Sequence, residues 1–325
     1  MAGQSTLVAV VVTHNRLDQL RTTLARLRAA DPDHLTCVVV VDCASTDGTQ
    51  AWLDQQDDPR LNVLRSDRNI GGAGGFEMGL RHAVAAHDPD WMVLMDDDAR
   101  PAPDALSAFM TEPRDAAHAW AAAVYHPDGR ICDINRPWQN PFWHRDVFWR
   151  TFREGRGGFH LGASAYEAKT PLPLDGTSFV GFFVSRDGVA LAGYPDASLF
   201  IYGDDVLYTL GLSERGGTVM FDPRVRFEHD FSTQGTADKR MRPMWKIYYH
   251  HRNLLLVYRR AAGLWFWPVL LLILPKWLMK IRHYRGERGL FLRLMTRAIW
   301  DGLRRDTALS HERLMAVANG TRSAS

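Results

Sequence analysis

Cysteine is scarce in this chain, with three in 325 residues, and Cys37, Cys43 and Cys132 have spacings that match neither a zinc-ligand pattern nor a disulfide framework. A reducing compartment is the simplest reading. The first apolar run, Leu7–Val12, is short and has no basic flank, so it does not read as a secretory leader and the protein is expected on the cytosolic side. The glycine-rich turn at 71–75 lacks the Lys-Ser/Thr ending of a P-loop and follows the third strand-like run with the wrong glycine spacing for a dinucleotide fingerprint. Internal repeats are absent, and neither sign of charge dominates, with 39 Lys plus Arg against 37 Asp plus Glu. The 46% apolar and 23% charged residues exclude disorder and fibrous repeats and leave a large core to bury.

The balance conceals an asymmetry. Residues 1–238 carry 21 basic and 33 acidic side chains, whereas residues 239–325 carry 18 and 4. An acidic front part (1–238) and a basic tail (239–325) are the expected domains. The tail holds an unbroken apolar stretch of eleven residues, Leu264–Leu274, followed by Lys276, Lys280, Arg282, Arg285 and Arg288. A spanning helix needs about 20 apolar residues, and this stretch also contains Pro268. It reads as an interfacial anchor against an anionic membrane surface, the alternative being a buried core helix with a solvated basic face. Nucleic acid is not expected as a partner, because the acidic front would repel a phosphate backbone.

In the front part short apolar runs alternate with helical patterns, which predicts an α/β fold whose parallel strands are joined by crossover helices. Leu7–Val12, Cys37–Val41, Asn62–Arg65 and Trp91–Met95 read as strands; Leu17–Ala30, Gly48–Gln56 and Gly75–Ala86 read as helices. Ligands of such sheets lie beyond the carboxyl ends of the strands. That directs attention to Thr13–Arg16, Asp42–Asp47, Ser66–Gly75 and Asp96–Asp98. From about Tyr125 to Thr177 the pattern loosens into a Pro-, Gly- and Trp-rich excursion.

Asp96-Asp97-Asp98 follows a strand directly. Three adjacent carboxylates repel one another, a divalent cation relieves the repulsion, and in an extended segment Asp96 and Asp98 point the same way. An acidic loop capping a helix near Pro103 is the competing reading. Asp204-Asp205 opens a helix that runs through Arg215, where it serves either the helix dipole or, through one of the two, as a proton acceptor. His229, alone on its segment Phe227–Phe231, is more ordinarily a structural residue. The turn Arg68-Asn69-Ile70-Gly71-Gly72 allows close backbone approach to a phosphate or sugar, or serves packing.

Taken in order, these segments resemble the family 2 glycosyltransferases of the GT-A fold. The resemblance rests on Val11–Arg16, Val40–Thr49, Arg68-Asn69 with its glycine turn, Asp96–Asp98, Phe179–Phe183, Tyr202–Asp205, the His229 segment and Tyr248–Asn253. It implies a Rossmann-like, mostly parallel sheet flanked by helices, with a C-terminal helical membrane-associating region. Donor binding is implied at Thr13, Asn15, Arg16, Asp42, Arg68, Asn69, Gly71, Gly72, Asp96, Asp97 and Arg252. A Mn2+ or Mg2+ ion is implied on Asp96, Asp98 and His229, and acceptor contacts at Asp204, Gly181 and Trp143. Asp205 takes the place of the general base in an inverting displacement. Cys43 stands where an asparagine is common, and the Gln-x-x-Arg-Trp motif of processive synthases is absent, Arg242–Trp245 not being equivalent.

The glycine turn, the triple aspartate and Gly203–Asp205 look most like galactofuranosyltransferases, whose donor is UDP-galactofuranose; dTDP-rhamnose-dependent rhamnosyltransferases share much of this pattern. A polyprenyl-diphosphate-linked or glycan acceptor at the cytoplasmic face of the membrane would suit the basic, apolar tail. Trp138, Trp143 and Trp149 either stack on acceptor sugars or pack the excursion onto the sheet. A nucleotidyltransferase would also use metal-binding carboxylates, but Thr13–Arg16 does not supply a basic, glycine-rich triphosphate loop.

Overall fold

Valine-rich runs with no polar interruption form strands only if both faces are covered, and that is how the computed structural model of the chain places them. It describes residues 5–230 and 240–319. Residues 1–4, Phe231 and the expected domain boundary at 238/239 lie outside the described residues. The front part reads β1 (Leu7–Thr13), α1 (Leu17–Arg28), β2 (Cys37–Asp42), α2 (Thr49–Leu53), β3 (Leu61–Arg65), α3 (Gly71–His87) and β4 (Trp91–Asp96). β3, β2, β1 and β4 lie side by side and parallel. Alternate residues of β1 face opposite layers. Leu7, Ala9 and Val11 pack with Leu20, Leu24 and Leu27 of α1, while Val8, Val10 and Val12 pack with Phe76, Leu80 and Ala83 of α3.

Past β4 the chain continues through β5 (Ala99–Pro101), α4 (Ala105–Met110), β6 (Ala119–Tyr125), α5 (Arg145–Glu154), α6 (Ala163–Tyr166), β7 (Leu172–Leu174), β8 (Phe182–Ser185), α7 (Arg186–Ala192), α8 (Asp204–Glu214) and β9 (Val219–His229). Here the sheet becomes mixed. β8 enters from the excursion rather than through a crossover helix and runs antiparallel to β4 and β6. β9 is longer than the run Thr218–Phe221 suggests and lies parallel to β6, with a bulge at Ala122/Ala123. β5 and β7 pair antiparallel with β9.

Helix α3 lies so close to the sheet that its glycines are needed for packing. A Cβ at Gly79 would fall 2.4 Å from Val10 Cγ1 and 2.9 Å from Val41 Cγ2. Both valines have stiff side chains on central strands. Gly79→Ala should therefore destabilise the protein by about 1–3 kcal/mol despite the helix-propensity gain. Gly72 has open space where its Cβ would be, so Gly72→Ala should be neutral or stabilising by up to about 1 kcal/mol. Chemical denaturation of the two variants checks the contrast.

The tail comprises α9 (Lys246–Ala262), α10 (Phe266–Met279), α11 (Arg288–Arg304) and α12 (His311–Asn319). Tyr248, Tyr249 and Leu255 of α9 share a third core with Phe291, Leu294 and Met295 of α11, and Phe200 from the front part joins it. Lys246–His283 forms one helical segment of 38 residues, long and apolar enough by length and composition to cross a membrane. Its α9 portion buries His251, Arg252 and Asn253 within the protein. Within this segment the exposed apolar side chains lie on α10 and the turn before it.

Candidate active site

The carboxyl ends of β1, β2 and β4 open on one side, as parallel strands require. Asp97 and Asp98 form the turn between β4 and β5, and β5 pairs with β9 so that Ala99 stands opposite His229. That register brings His229, 131 residues away in sequence, to Asp98. Its Nε2 lies 3.0 Å from Asp98 Oδ1. One ligand atom from each of Asp96, Asp98 and His229 lies within 4.8 Å of the others. His229 Nδ1 donates to Asn135 Oδ1 at 2.8 Å, which in a neutral ring leaves a lone pair on Nε2 facing a carboxylate oxygen. Such a contact requires a proton or a cation between the two atoms. Two carboxylate oxygens and one imidazole suit Mg2+ or Mn2+, so the residues present fit a divalent ion.

Asp97 turns away from this cluster. Thr13 Oγ1 donates to its Oδ2 at 2.8 Å, and Arg16 donates to its Oδ1 at 3.5 Å and to Asp98 Oδ2. Thr13, Arg16, Asp97, Asp98, His229 and Asn135 thus form one connected network. Burial, outweighing the attraction of Arg16, pushes the Asp97 carboxyl up to about 7, and burial with the charge of Asp98 raises Asp96. Burial also acts on Asp98, but the hydrogen bond and charge of His229 together with Arg16 outweigh it and hold Asp98 below the usual carboxylate range. The site therefore keeps one carboxylate ionised at the point where its cations converge.

On the β2 side, Asp42 is fully buried; its Oδ1 accepts from Ser45 N at 2.9 Å, and its Oδ2 is buried with no partner. Asn15, at φ +55, ties the two loops by accepting from Thr46 N at 2.6 Å while its own N–H donates to Ser45 Oγ. Arg68 is exposed on the following loop. Asn69 Oδ1 accepts from Gly71 N at 2.9 Å. Gly71, at φ +70, is required by Phe200, whose carbonyl oxygen would lie 2.1 Å from a Cβ there. That same carbonyl accepts from Ala73 N, and the Phe200 ring stacks on His311 of α12 at 4.2 Å and on Tyr249 at 4.8 Å.

The acidic pair sits at the start of α8, after Gly203 at φ +77. Asp205 Oδ1 accepts from Val206 N at 2.7 Å. Among the described residues, no hydrogen bond or ion pair joins Asp205 to the Asp98–His229 network. Asp204 lines a cavity of about 680 Å³ with Leu207, Tyr208, Arg259 and Arg260. Burial raises both carboxyls, and the charge of Asp205 raises Asp204 further. Asp205 is the member that ionises first.

Two of the expected contact residues are engaged within the fold. Arg252 is fully buried; its guanidinium donates to the carbonyls of Ser198 and Leu199 and to Asn253 Oδ1, while its Nη1 is buried without a partner. Gly181 has its N–H on Leu94 O and its carbonyl on Ala122 N, and a Cβ there would lie 2.8 Å from Ala122 and Phe227. Its backbone is used by the sheet, and its small size by packing. Trp143 is 37% exposed on the excursion, outside the hydrogen-bonded network. Asn135 and Lys246 were not legible in sequence. Asn135 lies in the loose excursion, and Lys246 opens α9, where burial and repulsion by Arg16 lower its ammonium pKa.

Residues 8–162 match the family model described as Glycosyl transferase family 2. The chain is 34% identical over 209 residues to galactofuranosyltransferase GlfT1 of Mycolicibacterium smegmatis, a match covering 63% of this chain and 65% of that protein. The chain thus spans less than two thirds of that relative's length. It is 36% identical over 115 residues to the undecaprenyl-phosphate mannosyltransferase of Micrococcus luteus, covering 34% of this chain and 44% of that one. Among solved structures, GalNAc-T7 with UDP, GalNAc and Mn2+ superposes with a TM-score of 0.56 at 15% identity, over 80% of this chain and 48% of that one, which establishes a shared fold. Over residues 8–162 this GT-A-type α/β fold, with an Asp-Asp-His cluster at its strand ends, is thus similar to glycosyltransferase family 2.

Proposed function

We propose that the protein is an inverting, metal-dependent glycosyltransferase that moves galactofuranose from UDP to a hydroxyl of a lipid-linked or polysaccharide acceptor at the cytoplasmic face of a membrane. The observation that carries the reading is the convergence of Asp96, Asp98 and His229 at the strand ends of a chain 34% identical to a galactofuranosyltransferase. The structure of GalNAc-T7 with UDP and Mn2+ and the lipid-phosphate acceptor named for the Micrococcus relative support the same chemistry.

Asp42, with its unpartnered Oδ2, offers an acceptor for a base or ribose N–H or O–H. Asp96, Asp98 and His229 would hold the divalent ion, which when bound supplies positive charge against the diphosphate. Arg16 and Lys246 add fixed cations on the same side, where charge grows on the departing UDP. Asp205 takes the proton of the acceptor hydroxyl as that oxygen bonds to the anomeric carbon and the bond to the diphosphate breaks, inverting the centre. Asp204, held protonated more readily than its neighbour, leaves the charge on Asp205.

The test is a screen of the purified chain against UDP- and dTDP-sugars with Mn2+, scored by nucleotide release and thermal shift. A donor at 100 times its Kd should stabilise the protein by about 2.7 kcal/mol. Release of pyrophosphate from a nucleoside triphosphate would sink the reading. The pH profile gives a second check. Asp205 must be ionised to accept a proton, and burial raises its pKa, so kcat/KM should fall tenfold per unit on an acid limb centred above the ordinary value of about 3.9. A rate unchanged down to pH 4 would remove Asp205 from the role.

A further inference from the structure

The excursion between β6 and β7 contains a helix that the catalytic reading does not use. α5 has the sequence Arg-Asp-Val-Phe-Trp-Arg-Thr-Phe-Arg-Glu. Val147 is its one buried residue, while Trp149 is 54% and Phe152 78% exposed. These two large aromatic side chains stand about one helical turn apart, and an exposed apolar face of this kind marks an interaction surface. The same is true of α10 and the turn before it, where Leu264, Trp265, Trp267, Leu271 and Leu272 are all more than half exposed.

These two faces are joined. Phe148 lies 6.1 Å from Trp265, ring to ring, and Phe148, Trp149 and Phe152 are in successive edge contact. Asn140 Nδ2 donates to Ala261 O at 2.9 Å, and Trp138 packs on Val257 and Ala261, so the excursion is pinned to the junction of α9 and α10. Of thirteen exposed large apolar side chains among the described residues, eleven lie on the excursion or on 264–279.

The rim is basic. Residues 264–286 hold Lys276, Lys280, Arg282 and Arg285 and no acidic residue, and residues 145–156 hold four arginines against Asp146 and Glu154. Trp, Phe and Leu flanked by Lys and Arg match the boundary between anionic head groups and acyl chains. Long basic side chains can reach the phosphates while their stems lie on the apolar surface.

We infer that α5 and α10 form one lipid-facing platform, with Trp149 and Phe152 entering the same anionic bilayer surface as the α10 face. The inference rests on the membrane association proposed above for the tail, and adds a second, sequence-distant element to it. The catalytic domain would then be held at two points, which fixes its tilt as well as its distance from the bilayer.

The test uses the full chain and vesicles of phosphatidylcholine with one quarter phosphatidylglycerol. Trp149→Glu with Phe152→Glu, both on the surface, should lower the partition coefficient in co-sedimentation at least tenfold. Because Cys37, Cys43 and Cys132 are buried, an environment-sensitive dye on Phe152→Cys reports that position alone, and its emission should shift to the blue on adding vesicles. Unchanged partitioning of the double variant with an unshifted dye, while the wild type binds, would overturn the inference and leave the α10 anchor standing. Failure of the wild type itself to bind would instead bring down the membrane reading. Loss of a dimer in sedimentation velocity, with vesicle binding unchanged, would make the patch a contact between copies and also overturn it.

Discussion

Asp205→Asn should lower turnover by about 10²–10⁴-fold, the usual contribution of a placed general base, while UDP still binds. The substitution keeps the size of the side chain, and its amide oxygen can still accept from Val206 N. What is lost is the ability to take a proton. The effect therefore falls on kcat, and donor affinity by calorimetry should be unchanged. Asp204→Asn is the internal control. That carboxyl is raised by burial and by its neighbour's charge and lines a separate cavity, so its loss should cost far less. Turnover that survives Asp205→Asn would refute the assignment, and an equal loss from both variants would show that the pair acts as a unit.

A loss of comparable size is expected when Asp96 and Asp98 are both replaced by alanine. Donor binding by calorimetry should lose its dependence on Mn2+, and the rise in Tm produced by Mn2+ with UDP should vanish. Without metal the fold should hold. Arg16 retains Asp97, and His229 retains Asn135, so neither is left as an unpaired buried group. Removing two mutually repelling carboxylates further offsets what is lost. A variant that still bound UDP more tightly with Mn2+ would move the metal away from these residues.

The parallel half of the sheet was legible because its pattern is redundant. Valine on both faces of β1 and β2, a glycine-rich start to α3 and an aspartate cluster at the end of β4 each restrict the chain to the same arrangement. The convergence of Asp96 and Asp98 followed from the alternation of an extended segment. His229 was less legible, since its position depends on β9 continuing beyond Phe221 to pair with β5, a long-range register that no local pattern encodes. The burial of Arg252 is illegible for the opposite reason. An arginine in a Tyr-Tyr-His-His-Arg-Asn run reads as a polar site residue, yet it is buried between aromatic rings and held by main-chain carbonyls. The role of Asn135 is unreadable for a related reason: a single amide in a loosely patterned excursion acquires meaning only from the histidine it orients.

Phe200 has a practical consequence. One aromatic residue, in a left-handed backbone conformation at φ +67, anchors the glycine-rich start of α3 through its carbonyl and the last helices through its ring. Trimming the greasy C-terminal segment to obtain better-behaved protein would strip the support from beneath the glycine-rich start of α3. Solubility is better sought by recolouring single outward-facing residues with charge, leaving the backbone of the tail in place.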